Sequence, residues 1–168
     1  MIKKEPKPIM KVLLYGYGNP GRQDDGLGNK FINRMQKWVN KEGLEGFEFD
    51  SNYQLNIEDA DAISDKDLVI FIDASKEDIQ DFCISKVTES SKMSFTTHSA
   101  SPGYILDLCK KLYDKSPVTL LLHIKGYEWN FKEELTKKAE ENLEKAINYF
   151  KEKLINPISL IQFEIPEF

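Results

Sequence analysis

Thiols and imidazoles are scarce in this chain, which holds two cysteines and two histidines in 168 residues. Cys83 and Cys109 stand far apart without a CxxC partner, which excludes a disulfide framework and a thiolate zinc site. Both read as buried thiols in a reducing compartment. Long apolar runs are also missing, and nothing approaches the roughly 20 residues of a membrane span. The opening residues 1–8 carry charge with no apolar stretch behind them, so no targeting signal is expected. An excess of positive charge is absent as well. Lys and Arg number 23 against 28 Asp and Glu, a net charge of −5. That balance argues against a protein that works by neutralising nucleic-acid phosphates. The expectation is a cytoplasmic, monomeric domain spanning residues 1–168, with tails at 1–10 and 156–168. Neither a nucleic-acid nor a membrane partner is expected, and the length suffices to bury a sizeable core.

What the sequence does contain is an alternation of short apolar runs with helical patterns. Residues 12–15, 47–50, 68–72 and 118–124 read as strands, and 82–88 as an edge or antiparallel strand. Helical spacing covers residues 24–40 through Leu27, Phe31, Met35, Trp38 and Val39. A brief helix through Ile63 follows Asn56 as its N-cap. Ser101-Pro102 opens a third helix, whose inner face carries Ile105, Leu108, Cys109 and Leu112. Residues 136–154 form the last, with Ala139, Leu143, Ala146, Ile147, Phe150 and Leu154 on one stripe. After Pro157 the sequence reads as loop. The order predicts an α/β fold, a three-layer α/β/α sandwich around an approximately five-stranded, mostly parallel twisted sheet with one antiparallel edge strand. In such sheets ligands collect at the carboxyl ends of the strands.

Three polar stretches lie at those ends. The first strand runs into Gly18-Asn19-Pro20-Gly21-Arg22-Gln23-Asp24-Asp25-Gly26, the third into Asp73-Ala74-Ser75, and the loop before Ser101 carries His98. Two carboxylates and an imidazole converging on one crevice make an O,O,N donor set. That set suits a divalent transition metal with coordination positions left open. Each residue also has a plain structural role available. Asp25 or Asp24 can cap the first helix, Asp73 can close a strand as a turn residue, and His98 can be an ordinary loop histidine. His123, inside an apolar strand, reads as a satisfied sheet residue. Asn19 reads as a loop-shaping amide. Arg22 is open between neutralising the carboxylates, contacting a substrate and standing in solvent. The stretch GYGNPG matches the dinucleotide fingerprint G-x-G-x-x-G, but the acidic residue at Asp50 falls too far downstream and the aspartate pair repels a pyrophosphate. The glycines then serve the turn and the approach of helix to strand.

GNPGRQDDGLG, VIFIDAS and THSASPGYIL, in that order, resemble the [NiFe]-hydrogenase maturation endopeptidases. YQLNIEDADAISDKD and GYEWNFKEELTKKAEENLEKAI are similar to the segments that precede that family's third strand and close its fold. The resemblance runs over about residues 11–154. It implies an enzyme that removes a C-terminal extension from a [NiFe]-hydrogenase large-subunit precursor after nickel insertion. Asp25, Asp73 and His98 match the family's metal-binding residues and are the implied catalytic set. The nickel (Ni2+) arrives with the substrate, and no organic cofactor is implied. Metal-polarised chemistry and direct general-base action by Asp25 or Asp73 both remain open.

Two other classes compete. GYGNPG also resembles the opening of bacterial peptidyl-tRNA hydrolases, but their catalytic histidine segment has no counterpart in residues 22–29. A non-catalytic, nickel-sensing binding module for the precursor would use the same three residues and is separated from the protease only by whether the tail is cut.

Overall fold

The computed structural model describes residues 3, 5, 6, 8–91 and 100–162. Five strands form one sheet: β1 (Val12–Tyr17), β2 (Phe47–Asn52), β3 (Leu68–Ser75), β4 (Phe82–Lys86) and β5 (Val118–Lys125). Their order is β2-β1-β3-β5-β4, parallel throughout except for β4, which runs antiparallel to β5 at the edge. β1 and β3 are apolar on both sides because both faces of the sheet are covered. On one face α1 (Leu27–Glu42) and α4 (Lys137–Leu154) bury Phe31, Met35, Leu143 and Phe150 against Leu14, Ile70 and Leu122. On the other, α2 (Asp59–Ile63) and α3 (Pro102–Tyr113) bury Ile63, Ile105 and Cys109 against Leu13, Val69 and Phe71. This is the expected three-layer α/β architecture. Among the described residues no helix is long and apolar enough to cross a membrane.

Helix boundaries follow their caps. Ser101 Oγ accepts the Tyr104 N–H at 3.2 Å with Pro102 in the first turn, as expected. Thr136 caps α4 by accepting the Ala139 N–H, and all six residues of the expected α4 stripe are buried.

Several expectations are corrected. Asn56 does not cap α2 with its side chain, whose amide turns back to the Gln54 carbonyl. Instead Asp59 reaches back to the Asn56 N–H at 2.7 Å, and the helix starts only at Asp59. On α3, Leu106 is buried and Leu112 is 66% exposed, so the inner face is rotated from the expected one. Beyond Pro157 the chain forms α5 (Ile158–Gln162), which buries Leu160 in the α1/α4 core. Cys109 is buried and free as expected, whereas Cys83 is free but only half-buried.

The two adjacent aspartates of the first loop separate completely. A short 3-10 turn over Gln23–Gly26 precedes α1, and neither aspartate caps the helix. Asp24 is fully buried and points at the segment between β5 and α4. Its carboxylate accepts the Tyr127, Glu128 and Thr136 N–H groups at 2.8, 3.1 and 2.8 Å, and the Thr136 hydroxyl at 2.8 Å. One side chain therefore closes the turns on both sides of residues 127–136 and braces the N-cap of α4. Replacing it by Ala would orphan several buried donors, each worth about 1–3 kcal/mol. Asp24→Ala should lose at least about 3 kcal/mol in urea unfolding, whereas Asp25→Asn should stay within about 1 kcal/mol of the parent protein.

Candidate functional site

The chain crosses to opposite faces of the sheet after β1 and before β3, so the sheet has its topological switch point between these neighbours. A crevice outside their carboxyl ends is where such folds bind ligands. The register of β1 with β3 ends at Gly16 and Ile72. The next residues, Tyr17 and Asp73, therefore stand side by side where the two strands part.

β3 does not end at Ile72 as the sequence suggested. It continues to Ser75, because β5 goes on pairing with it through Asp73–His123, Ala74–Ile124 and Ser75–Lys125. Asp73 is therefore held by a ladder on the β5 side only, with its β1 side unpaired. The Ala74 N–H and the Tyr17 hydroxyl lie beside its carboxylate.

Asp25 reaches the same place from the first loop. The loop is shaped by Asn19, whose Oδ1 accepts the Gly21 N–H at 2.9 Å, the role expected for it. Asp25 Oδ2 in turn accepts the Asn19 N–H at 2.8 Å, so the carboxylate is tied to the turn that carries it. Gly18 has φ +135°, and a Cβ there would collide with the Asp25 carbonyl. This glycine is required because Asp25 is folded back over the end of β1.

The electrostatics follow from that convergence. Burial and the Asp25 carboxylate beside it push Asp73 up to about 7, against partial relief from the neighbouring Ala74 N–H and Tyr17 hydroxyl. Burial and the nearby Asp73 carboxylate likewise push the Tyr17 hydroxyl well above its ordinary value. Two carboxylates close enough to perturb each other, with an unusual protonation state at neutral pH, mark a candidate site for a cation or for acid–base work.

The other sequence candidates are distributed as follows. His98 lies outside the described residues. Among the described residues no group of three His, Cys, Asp or Glu side chains comes together to hold a metal ion. His123 sits in β5 with Nε2 2.8 Å from the Ser85 hydroxyl, and burial lowers its pKa, as fits a satisfied neutral sheet histidine. Arg22 forms no ion pair with Asp24 or Asp25. Its guanidinium lies 4.7 Å from the centroid of the exposed Phe131 ring and reaches the Trp129 carbonyl at 3.4 Å. Tyr17 is the residue that sequence reasoning missed. It was read only as a spacer inside the glycine fingerprint, although its position one step past the β1–β3 pairing would have placed it beside Asp73.

No protein-family model and no curated protein sequence matches the chain. Solved structures do. The crystal structure of the [NiFe]-hydrogenase maturation protease HycI from Thermococcus kodakarensis superposes with a TM-score of 0.70 at 19% identity, over 89% of this chain and 96% of that one. The E. coli hydrogenase maturating endopeptidase HybD gives 0.64 at 17% identity, over 88% and 94%. The hydrogenase 2 maturation peptidase from Thaumarchaeota archaeon SCGC_AB-539-E09 gives 0.61 at 18% identity, over 86% and 97%. The chain is thus an α/β protein with Asp25 and Asp73 near each other at the switch point of its sheet. Its fold, over nearly its whole length, is that of the hydrogenase maturation proteases.

The elevated Asp73 pKa has a consequence for stability. A carboxyl that holds its proton more tightly folded than unfolded stabilises the fold below about pH 4. That stabilisation is lost as pH rises to about 7, at roughly 1.4 kcal/mol per unit. Asp73→Asn keeps a hydrogen-bond acceptor without the charge. In thermal melts with chelator present, the variant should be more stable than the parent at pH 8, by on the order of 2 kcal/mol. The advantage should vanish below about pH 4. Destabilisation at pH 8 would contradict the paired-carboxylate site.

Proposed function

We propose that this protein is an endopeptidase that removes the C-terminal extension of a [NiFe]-hydrogenase large-subunit precursor after nickel insertion. The observation that carries this reading is the convergence of Asp25 and Asp73 at the switch point of a fold shared with hydrogenase maturation proteases. The substrate's nickel is recognised by Asp25, Asp73 and His98.

The donor chemistry suits that role. Asp25 and Asp73 face each other without a counter-charge among the described residues, and Asp73 holds a proton up to about pH 7 in consequence. A divalent cation brought in by the substrate relieves that repulsion and takes both carboxylates as ligands. Two or three protein ligands leave coordination positions for the precursor's own groups, so a precursor without nickel binds less well. Bound nickel supplies a Lewis acid beside the tail that is to be cut.

The remaining work falls to the chain. Asp25 is oriented by the Asn19 N–H, so its carboxylate does not have to reorganise when substrate arrives. Once the cation displaces its proton, Asp73 is an ionised carboxylate in a partly desolvated place. That is the state required of a metal ligand or of a general base for the attacking water.

The reading is tested by incubating the nickel-loaded precursor with the protein and following the intact mass of the large subunit. The parent protein should remove the tail, and Asp25→Asn should slow its loss by more than about 100-fold while remaining folded. A precursor that binds but keeps its tail with the parent protein would replace the endopeptidase with a non-catalytic nickel-sensing module.

A further inference from the structure

Phe131 is 87% exposed on the segment between β5 and α4, so its ring gains almost nothing from burial. A single exposed aromatic on a loose loop would be ordinary. This one is held. It is the central residue of a three-residue turn, closed by the Lys132 N–H donating to the Asn130 carbonyl at 2.9 Å. Both flanks of the turn are tied to Gln23. The Gln23 side chain accepts the Asn130 N–H at 3.3 Å, and the Gln23 N–H donates to the Lys132 carbonyl at 2.7 Å. Gln23 makes these bonds from a left-handed backbone, φ +52°, which a glutamine adopts only at a cost in strain. One residue is strained to fix a turn whose central ring lies in solvent.

Arg22 lies beside that ring. Its guanidinium is 4.7 Å from the Phe131 centroid and reaches the Trp129 carbonyl only at 3.4 Å. The chain's other arginine, Arg34, pairs with Glu140 at 2.7 Å, whereas Arg22 forms no ion pair among the described residues. Glu128, on the segment that carries Phe131, gives its carboxylate to the Gln23 amide at 3.2 Å. A guanidinium stacked on a ring keeps its edge of N–H donors for a planar acceptor, and a carboxylate fits that fork. Ring and cation together suit an apolar side chain with a carboxylate close by.

Their position says where such a ligand comes from. The Arg22 carbonyl accepts the Asp25 N–H at 3.1 Å, which closes a single turn from Arg22 to Asp25. The ends of such a turn lie within about 7 Å at Cα, the span of roughly two residues of extended peptide. In the endopeptidase reading the tail to be cut begins beside the nickel, so its first residues run within reach of Arg22 and Phe131.

We propose that Arg22 and Phe131 form a specificity subsite for the first residues of the precursor's C-terminal extension. The Phe131 ring takes an apolar side chain of the tail, and the Arg22 guanidinium takes an acidic one. This inference rests on the endopeptidase reading and deepens it, since the carboxylates test for nickel and the subsite tests whether the tail is still attached. A cut tail no longer ties the large subunit to the subsite.

The test compares two probes by calorimetry, the nickel-loaded large subunit with its tail and the same nickel-loaded subunit with the tail removed. Phe131→Ala and Arg22→Gln should each weaken binding of the tailed form by at least about tenfold and leave the tailless form within about twofold. Both side chains are exposed, so both variants should keep the parent's circular dichroism. Phe131→Tyr, which retains the ring, should bind the tailed form within about twofold of the parent. Changing the acidic residues at the start of the tail to amides should abolish the effect of Arg22→Gln. Unchanged affinity in both variants would overturn the proposal. So would equal weakening of the tailed and tailless forms, which would put the patch against the body of the subunit. An Arg22→Gln effect that survives loss of the tail's acids would overturn the carboxylate assignment. If the parent binds the tail through this patch yet leaves it uncut, the endopeptidase reading falls and the subsite stands.

Discussion

The buried carboxylate of Asp24 is the contact on which the site's geometry hangs. Four donors converge on it, three from the backbone of the β5–α4 segment and one from the Thr136 hydroxyl. A carboxylate with so many donors tolerates burial that would otherwise be prohibitive. The first loop is thereby fastened to the segment between β5 and α4. Gln23 adds to the clamp, taking the Lys132 carbonyl through its own N–H at 2.7 Å and accepting the Asn130 N–H at its side chain. With the loop fixed at residues 23 and 24, the following residue has little freedom. Asp25 is delivered over the end of β1, where only glycine fits at position 18.

The second constraint is the strand order. Placing β3 directly beside β1, with crossovers leaving on opposite faces, makes the carboxyl ends of these strands the switch point of the sheet. Asp73 arrives there on a strand still paired on one side, and Asp25 on a loop pinned by its neighbour. The resulting like-charge pair costs stability in the absence of a cation, as groups arranged for function commonly do.

Much of this was legible in the sequence, and the reasons are physical. The apolar runs of β1, β3 and β5 and the stripe of α4 have clear periods, so the three-layer fold and its antiparallel edge followed from alternation. The strand-end rule pointed to Asp73 and the first loop. Which member of Asp24-Asp25 did which work was not legible. The choice depends on donors at residues 127, 128 and 136, more than a hundred positions away, and no local pattern reports a partner so distant. The continuation of β3 to Ser75 was hidden for the same reason, because pairing with β5 sustains it rather than its own composition. Tyr17 was hidden inside a glycine motif whose spacing drew attention to the residues around it. Beyond Pro157 the five-residue α5 is anchored by Leu160 and the partly buried Ile161, too short a run to leave a periodic signal.

The account's central claim is that Asp25 and Asp73 are held together to meet a cation that the partner carries. Affinity of the parent protein for the precursor, compared between its nickel-loaded and nickel-free forms under otherwise identical conditions, tests that claim most directly. The account predicts at least about tenfold tighter binding of the loaded form, equivalent to roughly 1.4 kcal/mol, and a difference that disappears in Asp25→Asn. Equal affinity for the two forms would contradict it, and would leave the carboxylate pair without the role assigned to it.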